Sequence, residues 1–151
     1  PQKKVLNLRN ELENAIKFIK LQIRDIGIMI DVPEDILIEF DLGHFKQIVI
    51  NILLNSRDAL VGTEEPRIMI RGYREGRSVG VEFIDNGCGI DGDALDYIFE
   101  PFYTTKVNGN GVGMFIVKKL IEENGGSIQA KSNEDGNGLG VYLTVMRGVQ
   151  I

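Results

Sequence analysis

The sequence predicts an α/β (α+β) two-layer sandwich: a mixed, mostly antiparallel sheet with about three helices on one face. Three observations carry that expectation. Apolar residues recur at helical spacing in three separate stretches, 9–24, 41–60 and 112–124. Short β-branched runs lie between them and come in pairs around turn residues such as Glu75-Gly76. The helices stand among these paired strands, which suits a sheet covered by helices on one side.

Residues 5–8 read as a short strand. In the stretch 9–24, Leu12, Ala15, Ile16, Ile19 and Ile23 share one helical face. The runs 27–32 and 36–40, either side of Pro33, are expected to pair as a hairpin. Asp41 has a side chain suited to capping a helix that runs to about Leu60. Phe45, Ile48, Val49, Ile52, Ala59 and Leu60 gather on its apolar side. A second hairpin joins 67–73 to 78–84. A short helix over 93–98 leads to 99–110, which has little periodicity and reads as a loop. The helix over 112–124 should stop at the C-cap glycines Gly125-Gly126. Strands 127–132 and 139–146 close the chain around a glycine-rich turn.

At 151 residues, without repeat or low-complexity linker, the chain is expected to be a single domain spanning 1–151. Its 43% hydrophobic and 26% charged residues are those of a soluble globular protein. Net charge is −5 with no long basic stretch, which argues against nucleic acid as a partner. A lone cysteine, Cys88, suits a reducing compartment. No apolar run approaches the ~18 residues of a membrane span. A cytoplasmic location without direct membrane contact is therefore expected, and Pro1 in place of an initiator Met suggests a piece of a longer protein. The 18 glycines point to backbone that bends sharply or lies close to a ligand.

Several of those glycines fall in stretches that carry chemistry. On the helix after Asp41, Asn51, Asn55 and Asp58 form a polar stripe beside the apolar face. Amides in such a place need partners, which can be water, a satisfied polar pair or a ligand. Asp85, ending a β-branched run, could accept a hydrogen bond from an adenine amino group, with Gly87 and Gly89 leaving room for a flat base. Asp-Asn-Gly is also a common turn. Cys88 between them reads as spacing, since no histidine lies near in sequence to activate it. Gly109-Asn110-Gly111-Val112-Gly113 opens a helix, where free N–H groups and the helix dipole favour phosphate. It is neither a Walker A loop nor a dinucleotide fingerprint. Between these glycines and the short helix, Thr104, Thr105 and Lys106 could reach phosphate oxygens from a lid anchored by Phe99 and Phe102.

Taken together, residues 51–59 (NILLNSRDA), 85–90 (DNGCGI), 99–106 (FEPFYTTK) and 109–114 (GNGVGM) resemble the N, G1, F and G2 boxes of the catalytic domain of sensor histidine kinases. FEPFYTTK is similar to nitrogen-regulator-type kinases in particular. The resemblance runs from Val5 to Met146 and implies the Bergerat-type ATP-binding fold of the GHKL class, with ATP and Mg²⁺ as cofactors. It implies Asn55 as the metal ligand and Asn51 and Asn55 as catalytic residues. It further implies nucleotide contacts from Asn55, Asp58, Asp85, Gly87, Gly89, Ile90, Phe102, Thr104, Thr105, Lys106, Gly109, Asn110, Gly111, Val112, Gly113 and Met114. The implied partners are a dimerisation and histidine-phosphotransfer domain and a response-regulator receiver domain.

The acceptor-histidine box of that family is missing, and with it the dimerisation domain. His44, in DLGHFKQ, lacks the acidic neighbour and following proline of that box, so a plain helix-surface histidine is expected. Asn110, Val112 and Met114 depart mildly from the family's glycine box. The closing stretch 136–142 carries Leu139 and Gly140 where a threonine is common, which puts one adenine- or phosphate-side contact in doubt. Related ATPases of the topoisomerase, mismatch-repair and chaperone type carry a water-activating Glu at the first position of the N box. Here that position is Asn51, and an amide cannot take up a proton at neutral pH. A GHKL ATPase, an anti-sigma-type serine kinase and a nucleotide-binding pseudokinase remain as alternatives to phosphoryl transfer onto histidine.

Overall fold

Two helices begin on their own caps in the computed structural model, which describes residues 1–101, 113–133 and 137–149. Asn7 Oδ1 accepts from Asn10 N at 3.0 Å and starts α1 (Leu8–Phe18) directly after β1 (Lys3–Asn7). Asp41 Oδ1 accepts from His44 N at 3.0 Å and starts α2 (Leu42–Ala59) directly after β3 (Leu37–Asp41). The second matches the sequence reading. The first helix is shorter than expected, because the chain beyond Phe18 continues as turns closed by Gln22 N to Ile19 O and Ile26 N to Ile23 O. Ile19 and Ile23 nevertheless stay buried. Successive turns keep the inward facing of a helix, so periodicity alone overran its end.

The runs 27–32 and 36–40 do not form a hairpin. β2 (Gly27–Asp31) pairs in parallel with β4 (Arg67–Glu75), while β3 pairs antiparallel with β1. The head of α1 separates them. Leu8 N binds Ile36 O, Arg9 Nη1 binds Val32 O and Asn7 Nδ2 binds Glu34 O, and Val32 and Ile36 are themselves buried. The linker is thus spoken for by α1, and each strand finds another neighbour.

β5 (Ser78–Asp85), β6 (Ser127–Ser132) and β7 (Leu139–Met146) complete a five-stranded sheet of order β2-β4-β5-β7-β6. Only the β2–β4 pair is parallel, so the sheet is mixed and mostly antiparallel, as expected. Alternate residues Ile68 and Ile70, Val79, Val81 and Phe83, and Val141, Leu143 and Val145 are buried. The core is completed by Leu8, Leu12 and Ala15 of α1, by Phe45, Ile48, Val49, Ile52 and Leu53 of α2, and by Val117 and Ile121 of α4 (Gly113–Glu123). Phe40 and Phe45 meet edge to face at 5.6 Å where β3 turns into α2.

α3 (Gly92–Leu95) is a single turn, and the expected helix over 93–98 gives way after it to further turns. α4 ends where Gly125 takes φ +81°, with Gly126 N on Ile121 O and Gly125 N on Glu122 O, a Schellman motif. No helix among the described residues is long and apolar enough to cross a membrane.

Candidate functional site

The alternation that buries Val79, Val81 and Phe83 carries Asp85 onto the same face at the last residue of β5, where it is only 4% exposed. A carboxylate there needs donors. Its Oδ1 accepts from Gly87 N at 2.9 Å and from Leu139 N at 3.2 Å, and the buried Ser56 hydroxyl of α2 donates to the same carboxyl. Burial pushes the pKa of Asp85 above the usual aspartate value, and these donors only partly oppose it.

The backbone around the carboxylate is tightly held. Cys88 N donates to Ala59 O at 3.1 Å, so the last turn of α2 closes onto the loop after β5. A Cβ on Gly87 would strike that same Ala59 carbonyl. Gly138 has φ +89°, and a Cβ there would collide with the Asp85 carbonyl. Asn133 Nδ2 donates to Asp85 O at 2.8 Å and to Asn137 O at 2.7 Å, tying the end of β6 to the end of β5. Asn86 turns the other way, accepting from Arg67 N at 2.7 Å and donating to Glu65 O at 3.1 Å.

Asn51, Asn55 and Asp58 are half-buried on α2. Asp58 accepts from its neighbour Arg57 at 3.3 Å. Neither Asn51 nor Asn55 makes a side-chain hydrogen bond among the described residues. Asn55 directly precedes the Ser56 that reaches Asp85. Gly87 is buried, and Gly89 (φ +72°) and Ile90 are half-buried on the loop that follows. Gly113 is the exposed first residue of α4, whereas Met114 is buried with Val117 and Ile121. Phe102, Thr104, Thr105, Lys106, Gly109, Asn110, Gly111 and Val112 lie outside the described residues.

Three contributors escaped the sequence reading. Ser56 sits inside the N box beside Asn55, where its place on the inner side of the helix was the available signal. Leu139 acts through its backbone N–H, which no side-chain pattern reports, and Asn133 precedes a glycine-rich turn with no further mark. His44 departs from the surface role expected of it. It is half-buried, and its Nδ1 lies 3.0 Å from Nδ2 of the fully buried Asn124. Asn124 also accepts from Asp41 N at 3.0 Å and donates to Leu120 O at 2.8 Å, which joins the start of α2 to the end of α4.

Comparison with known proteins bears on this arrangement. Residues 40–148 match the family model described as histidine kinase-, DNA gyrase B-, and HSP90-like ATPase. The chain is 32% identical over 120 residues to nitrogen regulation protein NtrY of Azorhizobium caulinodans, covering 76% of this chain and 16% of that protein. It is 34% identical over 114 residues to sensor histidine kinase ZraS of Escherichia coli, covering 76% of this chain and 23% of that one. It thus spans less than a quarter of either relative. The structure superposes on the catalytic domain of histidine kinase ThkA with a TM-score of 0.84 at 28% identity, covering 97% and 99% of the two chains. Against the same kinase in complex with response regulator protein TrrA the TM-score is 0.81 at 25% identity, covering 97% of this chain and 42% of that one.

Proposed function

The chain belongs to the family of histidine kinase-, DNA gyrase B- and HSP90-like ATPases, and from that membership we propose that it is the ATP-binding catalytic domain of a two-component sensor histidine kinase. The observation that carries the reading is the buried carboxylate of Asp85, reached by the Ser56 hydroxyl from the helix that also bears Asn55. Asp85 would accept the adenine amino group, with Gly87 and Gly89 flanking the base. Phosphates would lie along residues 109–113, under a lid contributed by 101–110.

The donor set fits Mg²⁺. An amide oxygen suits a hard cation that keeps waters and takes further ligands from substrate phosphates. Among the described residues no three His, Cys, Asp or Glu side chains converge. When bound, the ion supplies charge neutralisation to the transferring phosphoryl group. Asn55 would hold it, and Asn51, one turn earlier, would orient oxygens without removing a proton from water. That favours transfer to an acceptor with its own lone pair over hydrolysis. The acceptor would be a histidine on a dimerisation domain, and a response-regulator receiver domain would take the phosphoryl group next, both in the cytoplasm.

The experiment is incubation with labelled Mg·ATP, alone and with a separately made acceptor-histidine domain. Acid-labile phosphate should appear on the added domain and not on this chain. Label on serine would support the anti-sigma reading, free phosphate alone the ATPase, and binding without either the pseudokinase. Asp85→Ala should abolish nucleotide binding by calorimetry, and near-wild-type affinity would refute the adenine assignment.

A further inference from the structure

Five of the eight arginines are paired with carboxylates: Arg9 with Glu13, Arg57 with Asp58, Arg67 with Glu65, Arg71 with Asp31 and Glu82, and Arg74 with Asp35. Arg24, Arg77 and Arg147 have no carboxylate partner among the described residues. In a chain of net charge −5, where acids outnumber bases, two of those three arginines line the same groove.

The groove encloses about 560 Å³ where the β4–β5 hairpin turns and β7 ends. Its apolar lining is Leu37, Met146 and Val149, of which Met146 is 39% and Val149 68% exposed. Asp35 also lines it, but Arg74 holds that carboxylate at 3.1 Å. The frame is backbone-held: Arg147 N donates to Arg77 O at 3.1 Å and Gly148 N to Leu37 O at 2.9 Å. The cations are therefore presented from fixed strand ends.

We propose that this groove docks an acidic segment of a partner protein. Carboxylates would engage Arg77 and Arg147, whose planar forks match them bidentately, and an apolar side chain between them would cover Met146 and Val149. The apolar floor of Leu37, Met146 and Val149 favours a peptide, which offers apolar side chains to cover it, over a polyanion such as nucleic acid. Arg77 immediately precedes β5, and Asp85 ends it. At roughly 3.3 Å per residue the strand sets the groove on the order of 25 Å from the carboxylate. Docking leaves that end open and does not depend on the nucleotide reading.

The test is fluorescence anisotropy of a labelled hexapeptide of alternating glutamate and leucine, against its glutamine counterpart. The glutamate peptide should bind at least about tenfold tighter than the glutamine one, and more weakly as salt rises. The double variant R77A/R147A should lose about tenfold or more, R24A should bind as wild type, and saturating ATP should change nothing. Both arginine side chains are exposed, so an unchanged thermal melt will show that the double variant is folded. Equal binding by the double variant, equal binding of the glutamine peptide, or no binding by wild type would overturn the proposal. So would retention of anionic lipid vesicles through these arginines without peptide binding.

Discussion

Asp85 is held in a conflict between burial and charge. Its pKa is raised by desolvation, so the stability it contributes is fully present below the ordinary aspartate value and is lost as pH rises through the raised one. The adenine recognition proposed for Asp85 would need the opposite form, the charged acceptor. Two trends should therefore cross. Nucleotide affinity, by calorimetry across pH, should weaken as pH falls toward the raised value, while the melting midpoint of the free protein should gain there. Asp85→Asn should separate them at neutral pH: the free protein should melt no lower than wild type, while ATP affinity falls roughly 10–100-fold, the worth of a hydrogen bond to a charged group. A loss of stability with affinity intact would reverse this account. Asp41 is half-buried and runs the other way. Backbone donors from His44 and Gln2 hold its pKa below the usual value, so its contribution is present above that value and lost as pH falls through the lowered one. At this scale the sequence was informative about Asp85 and the paired amides, because motif spacing marks them. It was silent on Ser56, Asn133 and His44, because nothing local states which polar atoms meet across 29, 48 or 80 residues.

Elements succeed or fail here at their joints. The Schellman turn after α4 was readable from Gly125-Gly126, since only glycine takes φ +81° without strain. Gly125→Ala should cost about 1–2 kcal/mol by chemical denaturation. Asn124 was not readable, although it closes the same helix end onto α2 and β3. Asn124→Ala strands Asp41 N and the His44 ring, and should cost about 1–3 kcal/mol. A loss under 0.5 kcal/mol, about the scale of a plain surface change, would show that the joint is not what binds those helices. The strands 27–32 and 36–40 were each anticipated, yet their pairing was misread. A proline between two apolar runs reads as a hairpin, and the competing hydrogen bonds from α1 come from residues more than 20 positions away. Helix α1 was overrun for a related reason: inward facing is a property of turns as well as helices.

Across the molecule the two faces of the sheet are unequal. Helices cover one. On the other, Tyr73 lies across Gly80 with its hydroxyl 3.0 Å from Glu82, and Tyr142 covers Gly140 beneath Lys131 Nζ at 5.3 Å. The layer arrangement was legible because each helix announced its apolar stripe and most strands came in pairs. The single parallel pair, β2 with β4, was not, since it follows from the failed hairpin. Whole-molecule stability should report nucleotide directly. Mg·ATP at about 100 times its dissociation constant should add about 2.7 kcal/mol. For a chain of this size that is roughly 5–10 °C in a melt, and Asp85→Ala should show none of it.

The strand that opens the chain has a mechanical meaning. β1 is laced to β3 and has no rung on the larger sheet. Just before it, the backbone N–H of Gln2 grips Oδ2 of Asp41 at 2.8 Å, the residue whose other oxygen caps α2. A tug or twist delivered at that end would arrive first at the head of the helix bearing Asn51 and Asn55. The buried knot at Asn124 would pass it on to α4.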